Sequence, residues 1–341
     1  MRAALFFGLL AITAVLPVRA QVAVDADVDV ASAASSPISD IDAVVVTGVQ
    51  PGPGMWKVSK GDHVMWVLGS QSPLPKQMQW HSPDVEAAIA RSQEFLDQPG
   101  LSIGISKGGV FRALFAMPTL LKVRKLPDGQ RLQDVLPPEL YQRWSQLKPL
   151  YLGRDQDVEH LRPMFAAQAL HHAAISQAGL DSGEIAQTVA DLATRGSLKI
   201  TPTSLSATLT RPKALAKSLI QLPIDDVACF RATLDKLDTD VAMTAARANA
   251  WAVGDVAEMA RLNGQDDVDS CFKAITDAEA MRSLGLEDAE TKIAAKWLQA
   301  AEAALARNQS SFALLSVPHL LSTRSYLATL AARGYTVEAP Q

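Results

Sequence analysis

Short apolar runs alternate with helical patterns along most of this chain. Val64–Leu68 is apolar at consecutive positions, and Phe312–Val317 shows the same pattern near the end. Such runs are expected for strands covered on both faces of a sheet. Trp56–Val58 lies before the first run, and Ser59–Asp62 between them is a turn signal, so this part of the chain is predicted to form a β-hairpin.

The remaining pattern is mostly helical. Ser82 is a suitable N-cap residue and Pro83 suits the first helical position. We expect this helix to continue to Pro99-Gly100, with Phe95 on its apolar face. Residues 214–307 are almost entirely helical in pattern. The chain is therefore predicted to be α/β, with a mainly parallel central sheet flanked by helices and a large helical insertion before the final strand–helix–strand.

Two distant segments are expected to meet at one edge of this sheet. Right-handed crossovers place Gly69 and Val317 at the carboxyl ends of their strands. Ligands bind outside that edge in open α/β sheets. We therefore predict that Gly69 and Val317 lie on neighbouring strands and that Ser72 and His319 open into one pocket.

The first fifty residues predict export. Arg2 supplies a positive charge, Ala3–Leu16 is a short apolar run, and Val18-Arg19-Ala20 is suitable for cleavage before Gln21. Residues 1–20 therefore have the pattern of a secretory signal peptide, too short to span a membrane. Residues 21–50 are rich in Ala, Asp and Ser and are predicted to be a disordered leader. Residues 51–341 are predicted to form one domain, and in a bacterial cell it would be periplasmic.

The composition and net charge of the chain limit the kinds of partner that it is expected to bind. The chain has 341 residues, is 48% hydrophobic and has a net charge of −4. Nucleic-acid binding usually needs a basic face, so no nucleic-acid partner is expected. No later apolar run is long enough for a transmembrane segment in the mature protein. Cys229 and Cys271 are the only cysteines, and they are interpreted either as a disulfide of an exported protein or as two buried apolar residues.

Several short motifs occur in a fixed order along the chain. They are Trp56-Lys57-Val58, Leu68-Gly69, Leu74-Pro75 with Trp80, Leu126–Gly129, Leu136–Tyr141, Trp251-x-x-Gly254-Asp255 and Ala332–Glu338. In this order and spacing, the chain resembles the TraB/PrgY/GumN family, whose relatives include the Tiki metalloproteases. The resemblance covers about Gly54 to Ala339, and the last motif is typical of GumN-like proteins.

The resemblance implies a particular site. The family's proposed site uses two Gly-x-x-His motifs, a Glu after the first helix and an Arg, and the Tiki branch is similar to a metal-dependent peptidase. Imidazoles and a carboxylate at strand ends would hold a divalent ion that activates water. A catalytic zinc normally keeps three protein ligands of this kind. A divalent metal is thus the cofactor that the family implies.

This sequence departs from that pattern. Ser72 stands where the first His is expected, and the second motif begins with Ser316 in place of Gly while keeping His319. The Glu position falls at Gln98, or at Asp97 if the alignment slips by one residue. The Arg-Asn pair usually found before Trp297 is absent. One imidazole with a hydroxyl and an amide does not supply three ligands for a metal.

The candidates leave several interpretations open. His319 is either a retained site residue or a rim histidine at a helix start, and Ser72 is either a turn serine before Pro73 or the partner of His319 in a nucleophilic pair.

The first hypothesis for the function is a degenerate, non-catalytic or weakened family member that acts as an exported binding or accessory protein for a peptide or small molecule. The second is an active hydrolase, either metallopeptidase-like or using Ser72 and His319. The third, suggested only by the association of the family with gum clusters, is an accessory of exopolysaccharide export.

Overall fold

The computed structural model describes residues 45–105, 122–183, 185–209, 225–263, 288–322 and 325–340. The chain divides into two units, residues 1–39 and 40–341, and all described residues belong to the second. The predicted signal peptide and Cys271 lie outside the described residues.

Strands and helices alternate in the first half of the described chain, and helices dominate the segment before the last strands. The strands are β1 (Gly48–Gln50), β2 (Trp56–Lys60), β3 (His63–Ser70), β4 (Leu74–Pro75), β5 (Met78–Trp80), β6 (Glu94–Leu96), β7 (Leu101–Ile105), β8 (Leu180–Asp181), β9 (Lys199–Thr201), β10 (Leu205–Leu209), β11 (Ser310–Ser316) and β12 (Thr336–Glu338). The helices are α1 (Pro83–Arg91), α2 (Leu132–Val135), α3 (Pro138–Tyr151), α4 (Pro163–Gln177), α5 (Ile185–Arg195), α6 (Asp226–Val253), α7 (Val256–Leu262), α8 (Ala289–Arg307), α9 (Val317–Leu321) and α10 (Tyr326–Ala332).

The central sheet has six strands in the order β12-β2-β3-β11-β6-β9. β3, β11, β6 and β9 run parallel, whereas β2 and β12 are antiparallel additions at one side. The α/β prediction with a mainly parallel sheet is thereby confirmed, as is the hairpin of β2 and β3. Gly69 is paired in register with Leu315 and Ser70 with Ser316, which confirms that the two strand ends are neighbours.

Both faces of the sheet are buried. Phe312 and Leu314 of β11 pack into a core that includes residues of α1, α5 and α6, while Ala313 and Leu315 pack into a second core with α8 and α10. Alternate side chains of one strand thus enter opposite cores, which explains why β11 is apolar at consecutive positions. A third core lies among α2, α3, α4 and α6.

The first helix is shorter than predicted. α1 ends at Arg91, because Ser92 donates both its N–H to Ile89 O and its Oγ to Ala88 O. Phe95, which was predicted to lie on the helix, is instead in β6, paired with β11 on one side and β9 on the other. Its apolar position suits either element, and the two neighbouring strands decide between them. Ser82 lies at the N-cap position without a capping side-chain hydrogen bond.

Three further observations bear on the remaining predictions. β1 lies within the segment predicted to be a disordered leader, and it pairs in parallel with β5. Cys229 is disulfide-bonded, in agreement with the disulfide interpretation. Among the described residues, none of the helices combines the length and apolar character needed to cross a membrane.

Candidate functional site

A cavity of about 440 Å³ lies at the carboxyl edge of the central sheet. Residues at the ends of three adjacent parallel strands form the floor of the cavity. β3 ends in Ser70 and continues into Ser72, β11 ends in Ser316, and the chain after β6 supplies Gln98. The volume is within the range of about 300–1,000 Å³ typical of small-molecule pockets. The sheet edge predicted from the sequence therefore does carry a cavity.

The opposite wall comes from segments outside the sheet. Ser182 and Gly183 follow β8, and Ile185 begins α5. Arg247 of α6 and Asn263, just after α7, complete the polar lining. The cavity thus lies between the strand ends and the helices that cover them.

Ser70 and Gln98 are held together at the floor. Ser70 is 8% exposed, and its hydroxyl donates to Gln98 Oε1 at 2.9 Å. Asp97, the alternative position for the family's Glu, is not among the described lining residues; its Oδ1 instead accepts the Gln98 N–H at 2.7 Å. Gln98 is therefore held through its side-chain oxygen by Ser70 and through its backbone N–H by Asp97.

Ser72 lines the cavity, but its hydroxyl donates to the backbone carbonyl of Ser182. This bond joins the chain after β3 to the opposite wall. Among the described residues, no hydrogen bond joins Ser72 to His319. Ser72 bonds to Ser182 instead, and His319 bonds to Ser316.

His319 is half-buried on α9 and is not among the described lining residues. Its Nδ1 lies 2.9 Å from Ser316 Oγ, and its ring stacks on Tyr326 with centroids 5.0 Å apart. Burial lowers the pKa of His319, and the negative charge of Glu290 opposes this in part. The prediction that His319 opens into the same pocket as Ser72 is therefore corrected, since Ser316 is the residue that joins His319 to the cavity.

The residues that carry the family resemblance mostly build the framework of this edge. Trp251 Nε1 donates to Gly69 O at 2.7 Å in a buried position, which fixes the end of β3. Trp80 packs on Trp251 with ring centroids 6.0 Å apart. Gly254 has a φ of +77°, and a Cβ there would lie 2.8 Å from Gly52 O, so this position requires glycine.

The described residues of the cavity do not fit a divalent metal. The polar groups that line it are hydroxyls, carboxamides and one guanidinium, and no His, Cys, Asp or Glu side chain is among them. Within the described ranges there is also no group of three or more such side chains positioned to hold an ion. Zinc prefers thiolate, imidazole and carboxylate ligands, and guanidinium has no lone pair to offer. The side chains around the cavity therefore do not match the ion that the family resemblance implies.

Four other polar residues line the cavity and were not predicted from the sequence: Ser70, Ser182, Arg247 and Asn263. One signal was present for Arg247, because it lies four residues before Trp251 on α6 and therefore on the same helix face. The others follow elements whose place around the sheet depends on long-range packing, so their spacing along the chain gives no indication of the cavity.

Comparison with known proteins identifies one relationship. The model of the TraB/PrgY/gumN family matches residues 54–339 of this chain. No curated protein and no solved structure matches it.

Proposed function

We propose that this chain, which belongs to the TraB/PrgY/gumN family, is a non-catalytic or weakened member that acts as a binding or accessory protein. The ligand, a peptide or small molecule, would occupy the cavity at the carboxyl edge of the sheet. One observation carries the proposal. The cavity lies at the strand ends where the resemblance locates the family's site, yet its described lining consists of hydroxyls, carboxamides and a guanidinium.

This lining suits recognition better than hydrolysis. Hydroxyls and carboxamides both donate and accept hydrogen bonds, so they orient a ligand. Activation of water requires a metal or a general base within reach of the substrate. His319, a candidate base, is outside the described lining and bonds to Ser316, which lines the cavity, and burial lowers the pKa of its imidazole.

Metal content tests the proposal directly. Purified mature protein would be dialysed against Mn²⁺, Co²⁺ or Zn²⁺ and then measured by elemental analysis, alongside His319→Ala and the control His81→Ala. His81 is exposed and lies 3.3 Å from Glu86, so it reports adventitious binding to surface imidazole. We expect far less than one ion per chain in all three proteins. One ion per chain that is lost in His319→Ala but kept in His81→Ala would overturn the proposal.

The alternative hydrolase that uses Ser72 and His319 has a separate test. Turnover of unactivated peptides and of activated esters would be measured for the protein, for Ser72→Ala and for His319→Ala. We expect no turnover above background in any of them, because the two side chains have other hydrogen-bond partners. Turnover abolished equally by both substitutions would favour the hydrolase.

We further propose export to the periplasm through a signal peptide at residues 1–20. The N-terminal pattern supports this, and so does the disulfide at Cys229, because such bonds persist in oxidising compartments. Thiol titration of denatured protein from the periplasmic fraction should find no free thiol, and N-terminal sequencing should begin at Gln21. Two free thiols, or a mature chain that retains residues 1–20, would contradict export.

A further inference from the structure

A second cavity, of about 500 Å³, adjoins the first. The two share Ser182, Gly183 and Ile185 as lining residues. The second continues away from the strand ends past Met78 and Trp80. The shared segment lies between the two cavities, and Gly183 adds no side chain to it. An extended ligand can therefore cross from one cavity to the other.

The polar groups of the first cavity are mostly of one chemical type. Ser70, Ser72, Ser182 and Ser316 present hydroxyls, and Gln98 and Asn263 present carboxamides. The hydroxyls of Ser70 and Ser72 donate within the protein and can accept from a ligand, whereas the carboxamides of Gln98 and Asn263 carry N–H donors, so the lining as a whole offers both donors and acceptors. A ligand hydroxyl has the same dual character, whereas a peptide N–H only donates and a peptide carbonyl only accepts. The lining therefore matches a ligand rich in hydroxyl groups.

The ionised side chains of the two cavities are of both signs and are engaged within the protein. Lys76 Nζ donates to Ser176 O at 2.5 Å and to Ser176 Oγ at 2.8 Å. Asp181 Oδ1 accepts the N–H of Ser182 at 2.7 Å. Arg247 donates to Thr244 Oγ1 at 3.2 Å. No carboxylate or cation dominates the described lining, so a neutral ligand fits better than a charged one.

Trp80 gives the second cavity a fixed aromatic surface. Its Nε1 donates to Pro51 O at 2.9 Å, and its ring packs on Trp251, so the orientation of the indole is set before a ligand binds. The face of an aromatic ring is electron-rich. The C–H groups on one face of a sugar ring are weakly positive and flat, and they pack well against such a face.

We propose that the two cavities form one groove for a neutral oligosaccharide, with hydroxyl groups bound in the first cavity and one sugar ring packed against Trp80 in the second. This inference rests on the proposed function, because it takes the first cavity to be the ligand site. It adds the class of the ligand and the second half of the groove.

Binding of defined oligomers tests it. Mature protein would be titrated by calorimetry with neutral trisaccharides (cellotriose, maltotriose and triacetylchitotriose), with the acidic trigalacturonate and with a blocked neutral tripeptide. We expect a neutral trisaccharide to bind best. Trp80→Phe should weaken its binding about threefold to tenfold, since an aromatic contact is worth about 0.5–1.5 kcal/mol. Gln98→Ala should weaken it as well, whereas Trp66→Phe, a tryptophan outside both cavities, should not.

Thr188→Phe provides a second variant, which places a bulky side chain in the second cavity from α5. It should reduce trisaccharide binding and leave binding of the corresponding free monosaccharide, titrated alongside, nearly unchanged. If the tripeptide or trigalacturonate binds more tightly and remains sensitive to Gln98→Ala, the proposed function stands and the oligosaccharide inference fails. If Gln98→Ala changes no binding at all, the proposed function fails too. Neutral trisaccharides that show no binding, or binding unaffected by both Trp80→Phe and Thr188→Phe, overturn the two-cavity groove.

Discussion

The two ends of the same parallel strands hold polar groups in opposite ways. At the amino edge, Glu94 begins β6 and is 1% exposed. Its carboxylate accepts from Lys199 at 3.0 Å, Arg307 at 2.9 Å, Asn308 at 2.7 Å and Thr201 at 2.5 Å. At the carboxyl edge, the cavity is lined mainly by neutral hydroxyls and carboxamides. The amino edge stabilises the buried charge of Glu94, whereas the lining at the carboxyl edge is mainly uncharged.

The pKa values express the same difference. Burial by itself would raise the pKa of Glu94, but the hydrogen bonds from Thr201, Arg307, Lys199 and Asn308 outweigh it and lower the pKa from 4.5 to about 2. At the other edge, burial lowers the pKa of His319, so the imidazole is kept neutral. A charged group whose acceptors are all filled by the chain is structural, while polar groups around a cavity have capacity left for a ligand. The comparison therefore assigns stability to the amino edge and binding to the carboxyl edge.

Substitution of Glu94 should have the largest effect. A pKa lowered from 4.5 to about 2 corresponds to about 3 kcal/mol of folding free energy, because each tenfold change in a protonation constant is worth about 1.4 kcal/mol. Glu94→Gln keeps the volume but turns an amide N–H₂ toward donors. We expect a loss of about 3 kcal/mol at pH 7, measured by urea unfolding.

The matched control for that loss is Glu302→Gln. Glu302 also pairs with an arginine, Arg333, at 3.0 Å, but both side chains are partly exposed to solvent. Surface pairs of this kind contribute about 0–1 kcal/mol. Equal losses for Glu94→Gln and Glu302→Gln would show that the amino edge is not a specific stabilising network.

Acid should remove the same contribution gradually. The pKa of Glu94 is lower in the folded protein than in the unfolded chain, so the unfolded state takes up the proton first as the pH falls. The stabilisation is complete above about pH 4.5 and is lost as the pH approaches 2. Unfolding free energies measured across this window should fall more steeply for the unaltered protein than for Glu94→Gln. Parallel curves for the two proteins would contradict the assignment to Glu94.

Trp251→Phe should have a smaller effect, and one located at the carboxyl edge. It removes the donor to Gly69 O and leaves a buried carbonyl unpaired, which costs about 1–3 kcal/mol. Trp80→Phe is the control, because the bond it removes, to Pro51 O, is exposed. Chemical denaturation should separate the two by at least about 1 kcal/mol. If Trp80→Phe costs as much as Trp251→Phe, the bond to Gly69 is not what holds the end of β3.

The sheet could be predicted because its strands have a local signature. β3 and β11 are apolar on consecutive positions, and right-handed crossovers then put the carboxyl ends of both strands at one edge. The prediction placed Gly69 and Val317 on neighbouring strands, and the structure pairs Gly69 with Leu315, two residues before Val317. β6 could not be predicted, because Glu94–Leu96 is too short to show a period and continues the apolar pattern of α1. Its identity as a strand comes from pairing with β11 and β9, which lie more than one hundred residues away in the chain.

The site was predicted in part for the same reason. Ser72 and Gln98 follow strands, Ser316 ends one, and all three line the cavity. The position of His319 depends on the first turn after β11. α9 begins at Val317 directly after the strand, and the side chain of His319, two residues on, stacks against Tyr326 instead of entering the cavity. Sequence spacing does not reveal that turn, whereas Ser316, still on the strand, was placed correctly at the edge.

The smallest effect is expected for the titration of His319. Burial disfavours the imidazolium, so the titration midpoint in the folded protein should lie below 6.5. Stability then decreases as the pH falls below 6.5, because the unfolded chain binds the proton more readily. The carboxylate of Glu290 partly offsets burial, and Glu290→Gln should therefore lower the midpoint further. Ser316 and Tyr326, which contact the ring, are uncharged near neutral pH. The midpoint would be followed by NMR of the imidazole protons.

Glu302→Gln provides the control for this titration, because Glu302 is also on α8 but pairs with Arg333. It should leave the midpoint of His319 unchanged. A midpoint at or above 6.5, or one that rises in Glu290→Gln, would mean that the carboxyl edge stabilises a charge as the amino edge does. The contrast between the two edges would then fail, and His319 would regain the properties of a proton-binding residue of the site. A midpoint that falls only in Glu290→Gln would show that burial keeps His319 neutral beside this edge, which suits a groove for an uncharged ligand.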